Sequence, residues 1–266
     1  MHPAVSGPRP LIFAHRGGAG LAPENTIPAF DRGLALGADG LELDVRLARD
    51  GVAVVHHDEY LDRTTDASGV VADRASADLA HLNACAGFVR SGRHWDGGAA
   101  GIPTLRDVLR RYPDTPLIVE IKGASTALAR VVVDDVRQAG ALERVCVGGF
   151  SLGALQEARR LEPRLVTGAS RPEVRMALYA SWIGWAIRAG RYAAFQVPEC
   201  AGATRVVSRR FVQTAHRAGR VVQVWTVDVR EDILRLLEWG VDAIITDRPD
   251  IAVPALGDWR SGRWHQ

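Results

Sequence analysis

The chain alternates short apolar runs with helix-like segments almost from end to end, and this alternation is the feature that most limits its fold. Eight apolar runs have the length and composition of strands. They are Leu11–Ala14, Gly40–Val45, Leu117–Ile121, Val145–Phe150, Leu165–Thr167, Ala193–Val197, Val221–Thr226 and Ala243–Thr246. Segments with a helical period follow most of them: Thr26–Leu36, Leu105–Arg111, Ser125–Ala139, Leu152–Leu161, Glu173–Ala189, Ser208–Ala218 and Glu231–Trp239. Strands that alternate with helices in this way form a parallel sheet.

Eight such units in one chain predict an α/β fold in which the sheet closes into a single (β/α)8 TIM barrel. A doubly wound sheet is the alternative, but no dinucleotide-binding GxGxxG motif follows a strand candidate. A chain of 266 residues is a normal length for one barrel, with predicted domain limits of 9–256. Residues 257–266 read as a C-terminal tail that contains Trp259 and Trp264 but no clear element. Glycine favours the left-handed conformation that ends helices, which predicts helix ends at Gly37, Gly140, Gly190, Gly219 and Gly240.

One region interrupts the alternation after the second strand. Asp50-Gly51 lies between two alternating runs, a pattern typical of a two-residue hairpin turn. Residues 60–101 have weak periodicity and many turn residues. Long irregular segments in compact domains are often functional, so we interpret this one as an insertion over one mouth of the barrel.

Composition narrows the choice of partner and compartment. The 33 basic and 31 acidic side chains leave a net charge of +2, which argues against a nucleic-acid partner. Three cysteines without CxxC spacing predict free thiols in a reducing compartment. The first residues also lack the pattern of a secretory signal peptide, and the cytoplasm is therefore expected.

The most apolar run outside the strands is 176–187, which is too short to span a bilayer. Its composition favours a helix that faces the core. The alternative is a face that touches a membrane, with Tyr179, Trp182 and Trp185 as interfacial aromatic residues.

Acidic and histidine residues collect at the ends of the predicted strands. Glu42 and Asp44 lie two residues apart in one strand and therefore share a face. A two-residue turn at Asp50-Gly51 would pair Asp44 with His57 and direct His56 to the other side. The sequence therefore predicts His57 beside the two carboxylates.

Two further strands end in polar residues. Glu120 and Lys122 share one face at the end of their strand, and the first strand ends in His15-Arg16. All of these residues fall at carboxyl ends of strands, where active sites of TIM barrels lie. Lys122 is the one lysine in a chain that otherwise uses arginine, which suggests a need for a compact charge. A structural salt bridge between Glu120 and Lys122 is the alternative.

The residue types indicate the chemistry. Carboxylates without cysteine or clustered histidine suit an oxygen-preferring cation, Mg²⁺ or Ca²⁺. His15 and His57 suit a general acid and a general base near neutral pH, and Arg16 and Lys122 suit an anionic substrate. Together these features predict a phosphate ester as the substrate. Four other histidines have no comparable placement and are expected at the surface or behind the site: His56, His81, His94 and His216.

The motifs resemble those of the glycerophosphodiester phosphodiesterases. The resemblance rests on AHRGGAGLAPENTIPAF (14–30), GADGLELDVRLARDGVAVVHHDEYLDRTT (37–65), IPTLRDVL (102–109), LIVEIKG (117–123) and VVQVWTVDVREDILRLLEWGVDAIITDRPD (221–250). The order and spacing HR, ExD, HD are far more specific than any single piece. The resemblance covers nearly the whole chain, most loosely at 66–101 and 171–215.

This resemblance implies a (β/α)8 barrel with an insertion after the HD motif, and a cation-dependent hydrolysis of glycerophosphodiesters to glycerol 3-phosphate and an alcohol. It implies His15 and His57 as the catalytic pair, which we assign as acid and base respectively. The nucleophile stays open between water and the glycerol 2-hydroxyl. The implied metal ligands are Glu42, Asp44 and Glu120, and the implied phosphate clamp is Arg16 and Lys122.

Three further residues are candidates for supporting roles. Asn25, which follows Glu24 in the Pro-Glu-Asn-Thr stretch, is a candidate N-cap of the first helix, with Pro28 in its first turn. Phe150 and Trp225 lie at strand ends and could line a wall for the substrate's carbon chain or simply pack the barrel.

Other functions share parts of this pattern. A lysophospholipase D-type enzyme at a membrane surface would share the site and differ in the insertion and in 173–190. A non-catalytic barrel could bind a phosphate compound, but binding alone needs no acid–base pair. Phosphatidylinositol-type phospholipase C chemistry also pairs histidines, and it fits the three carboxylates less well.

Overall fold

The computed structural model describes residues 2–187 and 190–263. The strands in chain order are β1 (Leu11–His15), β2 (Gly40–Leu47), β3 (Ala53–Val55), β4 (Leu117–Ile121), β5 (Val145–Gly149), β6 (Val166–Thr167), β7 (Ala194–Pro198), β8 (Cys200–Ala201), β9 (Thr204–Arg205), β10 (Val221–Trp225) and β11 (Ala243–Thr246). The helices are α1 (Ile27–Ala35), α2 (Ser76–Ala80), α3 (Ala86–Arg90), α4 (Leu105–Arg111), α5 (Thr126–Gln138), α6 (Leu152–Leu161), α7 (Arg171–Ile183), α8 (Arg209–Arg217), α9 (Arg230–Glu238) and α10 (Pro249–Arg260). A short 3₁₀ turn spans Val71–Asp73.

Eight parallel strands form the barrel in the order β6-β5-β4-β2-β1-β11-β10-β7. The two ends of this sheet meet where the Ala193 amide donates to Thr167 O at 2.9 Å and the Ala169 amide donates to Ala194 O at 2.8 Å. The TIM barrel prediction is confirmed, and these are the eight strands that the sequence predicted. The strand β3 pairs antiparallel with β2, and β8 and β9 form a separate hairpin.

Helix starts follow from short polar side chains. Serine or threonine hydroxyls accept the backbone N–H three residues on at α1, α5, α6 and α8, from Thr26, Ser125, Ser151 and Ser208. Thr26 is therefore the N-cap of α1, and the expectation that Asn25 holds this position is wrong. Pro28 does lie in the first turn of the helix.

Two helices differ from the sequence prediction, α7 in its limits and α10 because no helix was predicted there. The helix α7 ends where Gly184 adopts a φ of 78°, so Gly190 is not its end, and Ala189 lies outside the described residues. The helix α10 was not predicted, since Pro254 inside it interrupts the helical pattern. Residues 257–260 thus end a helix rather than begin a tail, while Trp264 lies outside the described residues. The domain limits 9–256 stay a prediction.

One end of the barrel is closed by the start of the chain. The amide of Gln223 donates to the carbonyls of Ala4 and Val5, at 3.1 and 3.0 Å. Ala4 is fully buried and packs with Cys146 and Ala194, which lie near the amino ends of their strands. The carboxyl ends of the strands are left to form the open mouth.

The hairpin after β2 differs by one residue from its predicted pairing. Val45 pairs with Val55, and Leu47 pairs with Ala53, so that the connection holds three residues instead of two. The third, Gly51, has a φ of 77°, which fits a three-residue turn that ends in a left-handed residue. The His56 amide, not that of His57, consequently bonds Asp44 O, at 3.0 Å.

The segment after this hairpin packs as a unit beside the barrel mouth. Its apolar side chains form a small cluster together with two residues of the hairpin: Ala48, Val54, Leu61, Val71, Leu79, Ala84 and Ile102. Arg93 donates to Ala19 O at 2.7 Å, in the loop that follows β1. The insertion therefore contacts a loop at the carboxyl end of the barrel.

The helix α7 turns an apolar face outward. Exposed fractions are 63% at Met176, 48% at Tyr179, 50% at Trp182, 59% at Ile183 and 71% at Trp185. The preferred interpretation of 176–187 as a core-facing helix is therefore wrong for these residues. Only the narrow stripe of Ala177, Leu178 and Ser181 is buried among the α7 residues. No helix in the described ranges is long and apolar enough to cross a bilayer.

Candidate active site

A cavity of about 530 Å³ opens at the carboxyl ends of the barrel strands. It collects nearly all of the side chains that the sequence singled out. The predicted site residues that line it are His15, Arg16, Glu42, His57, Glu120, Lys122, Phe150 and Trp225. Asp44 lies directly behind them and is fully buried.

Three carboxylates converge at the floor of this cavity. Glu42 and Asp44 share one side of β2, and the parallel register places Glu120 of β4 directly beside Asp44. One oxygen atom from each lies within 4.8 Å of the others. This donor set, all oxygen, fits a hard divalent cation such as Mg²⁺ or Ca²⁺.

The surroundings shift the pKa values of the two β2 carboxylates in opposite directions. Burial, and then the charge of Asp44, raises the pKa of Glu42. Burial also works against ionisation of Asp44, but Lys122 and Arg16 outweigh it and lower the pKa of that carboxyl. The two carboxylates of β2 thus differ in how readily they ionise, and a cation bound beside them would favour the charged form of Glu42.

Two basic side chains border the carboxylates. Lys122 Nζ lies 2.9 Å from Asp44 Oδ1 and 2.8 Å from Glu120 Oε1. Arg16 Nε lies 3.1 Å from Asp44 Oδ2. Its backbone amide donates to Glu42 Oε2 at 3.2 Å. The salt bridge between Lys122 and Glu120 exists, and it holds the ammonium within the cavity.

His15 is oriented by a carboxylate that the sequence analysis missed. Asp247 Oδ1 lies 2.7 Å from His15 Nδ1, and the other ring nitrogen lies 3.8 Å from Glu42 Oε2. Burial alone would lower the pKa of His15, but Glu42 and Asp247 together raise it. The pairing of Ala14 with Thr246 brings the two residues together, since each is the next along its strand end. The motif ending in Thr-Asp-Arg-Pro-Asp was the available signal.

His57 is held through a chain of ion pairs. Its Nδ1 contacts Asp58 Oδ1, and Asp58 Oδ2 accepts from Arg63. Arg63 also donates two hydrogen bonds to the Glu24 carboxylate, at 2.6 and 2.7 Å. Glu24 in turn accepts a hydrogen bond from Arg16 at 2.9 Å. Burial is the largest influence on His57 and lowers its pKa. The two histidine pKa values are thus displaced in opposite directions, which suits an acid–base pair.

His56 lies outside the cavity although it, not His57, faces Asp44 in the hairpin register. The strand β3 ends at Val55, so alternation no longer sets the direction of the next side chains. His56 is buried, with Nε2 at 3.0 Å from Thr64 Oγ1 and Nδ1 at 2.9 Å from Asp58 O. The other three histidines set aside by the sequence are exposed: His81, His94 and His216.

Asn25 supports the cluster from behind. Its Nδ2 donates to Asp44 Oδ2 at 2.9 Å, and its Oδ1 accepts from the Asp44 amide at 3.3 Å. Its φ of 59° is unusual for a residue other than glycine, although asparagine adopts it more readily than most. Asn25 therefore orients a carboxylate of the cluster instead of capping a helix.

Comparisons with known proteins agree with this arrangement. The profile of the glycerophosphoryl diester phosphodiesterase family matches residues 15–251. A glycerophosphodiester phosphodiesterase of Caldanaerobacter subterraneus is 32% identical over 253 residues, which cover 91% of this chain and 96% of that one. One from Bacillus altitudinis is 33% identical, over 91% and 96% of the two chains.

Solved structures are similar over the whole barrel. A putative glycerophosphoryl diester phosphodiesterase from Silicibacter pomeroyi has a TM-score of 0.79 at 27% identity and covers 96% of both chains. An Oleispira antarctica phosphodiesterase in complex with its product sn-glycerol-3-phosphate has a TM-score of 0.76 at 25% identity. That match covers 94% of this chain and 97% of the other.

Proposed function

The chain belongs to the glycerophosphoryl diester phosphodiesterase family, and from this premise we propose that it hydrolyses glycerophosphodiesters to glycerol 3-phosphate and an alcohol with a divalent cation. The observation that carries the proposal is the cavity itself. His15 and His57, each bonded to its own aspartate, line the same cavity as Glu42 and Glu120. Binding alone would need no such pair of oriented histidines.

Glu42, Asp44 and Glu120 would hold the cation. When bound, it would polarise the phosphodiester and neutralise negative charge that develops on its oxygens. Asn25 fixes the orientation of Asp44, and Lys122 bridges Asp44 and Glu120. The protein's own residues therefore hold the ligand set in place, whichever of Mg²⁺ or Ca²⁺ is used.

Arg16 and Lys122 would bind the phosphate oxygens that face them. Both line the cavity, and both are anchored by carboxylates at its floor. Anchoring lowers the entropy lost when a cationic side chain meets a phosphate. A phosphodiester bound beside the carboxylate cluster would then contact both of these basic side chains.

We assign His57 as the general base and His15 as the general acid. His57 would take a proton from the nucleophile, through the ring nitrogen not bonded to Asp58, and His15 would protonate the leaving alkoxide. Asp247 and Asp58 each fix one ring nitrogen, which leaves the other available for proton transfer. General acid and base steps each contribute about 10²–10⁴-fold.

A substrate panel tests the proposal. Purified protein is incubated with glycerophosphodiesters under Mg²⁺, Ca²⁺ and EDTA, and released glycerol 3-phosphate is measured. EDTA should abolish release, and one of the cations should restore it. Glu42→Gln should weaken cation binding measured by calorimetry, whereas Glu231→Gln, exposed on α9, should not. Full activity after exhaustive chelation would remove the metal role.

A second candidate function is favoured by the exposed face of α7. Met176, Tyr179, Trp182, Ile183 and Trp185 present amphipathic and apolar surface of the kind found at membrane interfaces. The same barrel could then act on lysophospholipids at a lipid surface. Co-sedimentation with phospholipid vesicles tests this: Trp182→Ala and Trp185→Ala should reduce binding. Absence of both vesicle binding and lysophosphatidate release would exclude it.

The compartment stays a prediction from the cysteines. Cys85 and Cys146 are buried, Cys200 is exposed, and none of the three is paired in a disulfide. Free thiols are typical of the cytoplasm, and we propose that the enzyme acts there.

A further inference from the structure

Arg171 brings an uncompensated positive charge to the rim of the catalytic cavity. It is the first residue of α7 and follows β6, whereas the carboxylates belong to β2 and β4. Among the described residues, no carboxylate oxygen lies within 4.0 Å of its guanidinium. The cavity's other two basic side chains, Arg16 and Lys122, are both paired with carboxylates. Within the part of the chain that the structure describes, Arg171 is thus the arginine of the cavity that has no carboxylate partner.

The position of Arg171 is set by Phe150. Its guanidinium carbon lies 4.8 Å from the centroid of the Phe150 ring, and its backbone amide donates to Phe150 O at 3.1 Å. Phe150 in turn lies 6.1 Å from Trp225, measured between ring centroids. An aromatic pair of this kind attracts quaternary ammonium groups. Here the Arg171 guanidinium already lies over one face of the Phe150 ring, and its positive charge would repel such a group.

The charge of a glycerophosphodiester can vary only in its alcohol. The glycerol is uncharged, and the phosphodiester common to all of these substrates would lie against the proposed cation ligands and against Arg16 and Lys122. An arginine elsewhere in the cavity therefore distinguishes among alcohols by their charge. It favours an alcohol that carries an anionic group and disfavours one that carries a cation.

We propose that Arg171 is a specificity-determining residue that selects glycerophosphodiesters whose leaving alcohol bears an anionic group, such as a phosphate. The inference rests on the proposed diesterase function and names its substrate class. Arg171 is exposed to solvent at the cavity rim, so the selectivity is expected to be modest, about fivefold, and to weaken with salt.

Three matched substrates test this in the wild-type protein. They are the diester of glycerol 3-phosphate with glycerol, the same diester with a terminal phosphate on the second glycerol, and the choline diester. We expect kcat/KM to be highest for the phosphorylated diester and lowest for the choline diester. The ratio of the first two should fall towards one as ionic strength rises. A choline preference, or no preference, overturns the inference while leaving the diesterase function intact.

Substitutions locate the effect. Arg171→Met should abolish the preference for the phosphorylated diester, and Arg171→Lys should retain part of it. The matched control is Arg175→Met, one turn further along the exposed surface of α7 and outside the cavity lining; its selectivity ratio should equal that of wild type. An unchanged ratio in Arg171→Met overturns the assignment. If the wild type hydrolyses none of the diesters, the proposed function fails and this inference fails with it.

Discussion

The two histidines of the site are positioned by different parts of the molecule. His15 lies at the end of β1, and its partner Asp247 follows β11, so the two sit on neighbouring barrel strands. His57 lies beyond the end of β3, and its partner Asp58 is held by Arg63 from the insertion. We call these the barrel half and the hairpin half of the site.

Different interactions fix the catalytic side chain in the two halves. In the barrel half, backbone hydrogen bonds set the register, and the alternation of strand residues then fixes side-chain direction. In the hairpin half, the backbone hydrogen bonds between β2 and β3 end before His57. Ion pairs between side chains hold the imidazole in place instead. Loss of the support that Asp58 receives from Arg63 in the insertion should therefore lower activity through the hairpin half.

Substitutions of the two adjacent histidines should change kcat very unequally. His57→Ala should lower kcat by roughly 10²-fold or more, because an acid–base group is removed. His56→Ala should retain far more activity per folded molecule but lower the melting temperature, since it deletes a buried ring that bonds Thr64 and the Asp58 carbonyl. Steady-state kinetics with thermal unfolding would separate the two outcomes. A larger loss of kcat in His56→Ala would contradict the placement of His57.

The two halves also differ in how well the sequence predicted their structure. Hydrophobic alternation predicted all eight barrel strands, and their carboxyl ends predicted Glu42, Asp44 and Glu120 as one cluster, because period and register are local and regular. The hairpin pairing was off by one residue. His57 nevertheless lines the cavity, because Asp58 and not the ladder sets its direction. Asp247 was missed because its partner lies far along the chain.

The next prediction compares the two orienting carboxylates. Asp247→Asn and Asp58→Asn should each lower kcat by roughly tenfold to hundredfold, since each leaves a catalytic imidazole without its ionic partner. The matched control is Asp242→Asn, which removes the partner of exposed His216, 2.8 Å away and outside the cavity lining. Its kcat should match that of wild type.

Asp247→Asn and Asp58→Asn together test whether both catalytic histidines depend on their carboxylate partners. If only the Asp247 substitution lowers kcat, the hairpin half does not depend on its ion pairs, and the contrast drawn between the halves is lost.

Lys122 directly follows the barrel strand β4 and therefore tests a basic side chain of the barrel half. It bridges Asp44 and Glu120 with a compact ammonium, at 2.9 and 2.8 Å, and a planar guanidinium is wider. Lys122→Arg should therefore lower kcat/KM by about tenfold, or 1.4 kcal/mol of transition-state stabilisation, and Lys122→Met should lower it further. Cation binding measured by calorimetry should persist in both. Wild-type kcat/KM in Lys122→Arg would favour a purely structural salt bridge with Glu120.

Arg63 does not line the cavity and acts on it through Asp58 and Glu24, so its substitution should change activity less than those above. Its guanidinium joins Asp58 to Glu24, and Glu24 reaches Arg16, so that one residue of the insertion ties His57 to the phosphate clamp. The arginine is half exposed, which limits the strength of these ion pairs. Arg63→Met should lower kcat by about threefold to tenfold at nearly constant KM, and Arg63→Lys, which keeps the charge but not the two-sided fork, should restore part of it.

A matched surface arginine separates this role from general loss of charge. Arg49 is exposed in the hairpin turn and pairs with Asp78 only at 4.0 Å, outside the cavity lining. Arg49→Met should therefore leave kcat unchanged. Because Arg63 acts on activity through Asp58, combining Arg63→Met with Asp58→Asn should cost little more than Asp58→Asn alone. Full additivity of the two substitutions would mean that Arg63 acts on the Glu24 and Arg16 side, and that the hairpin half is positioned by Asp58 without support from the insertion.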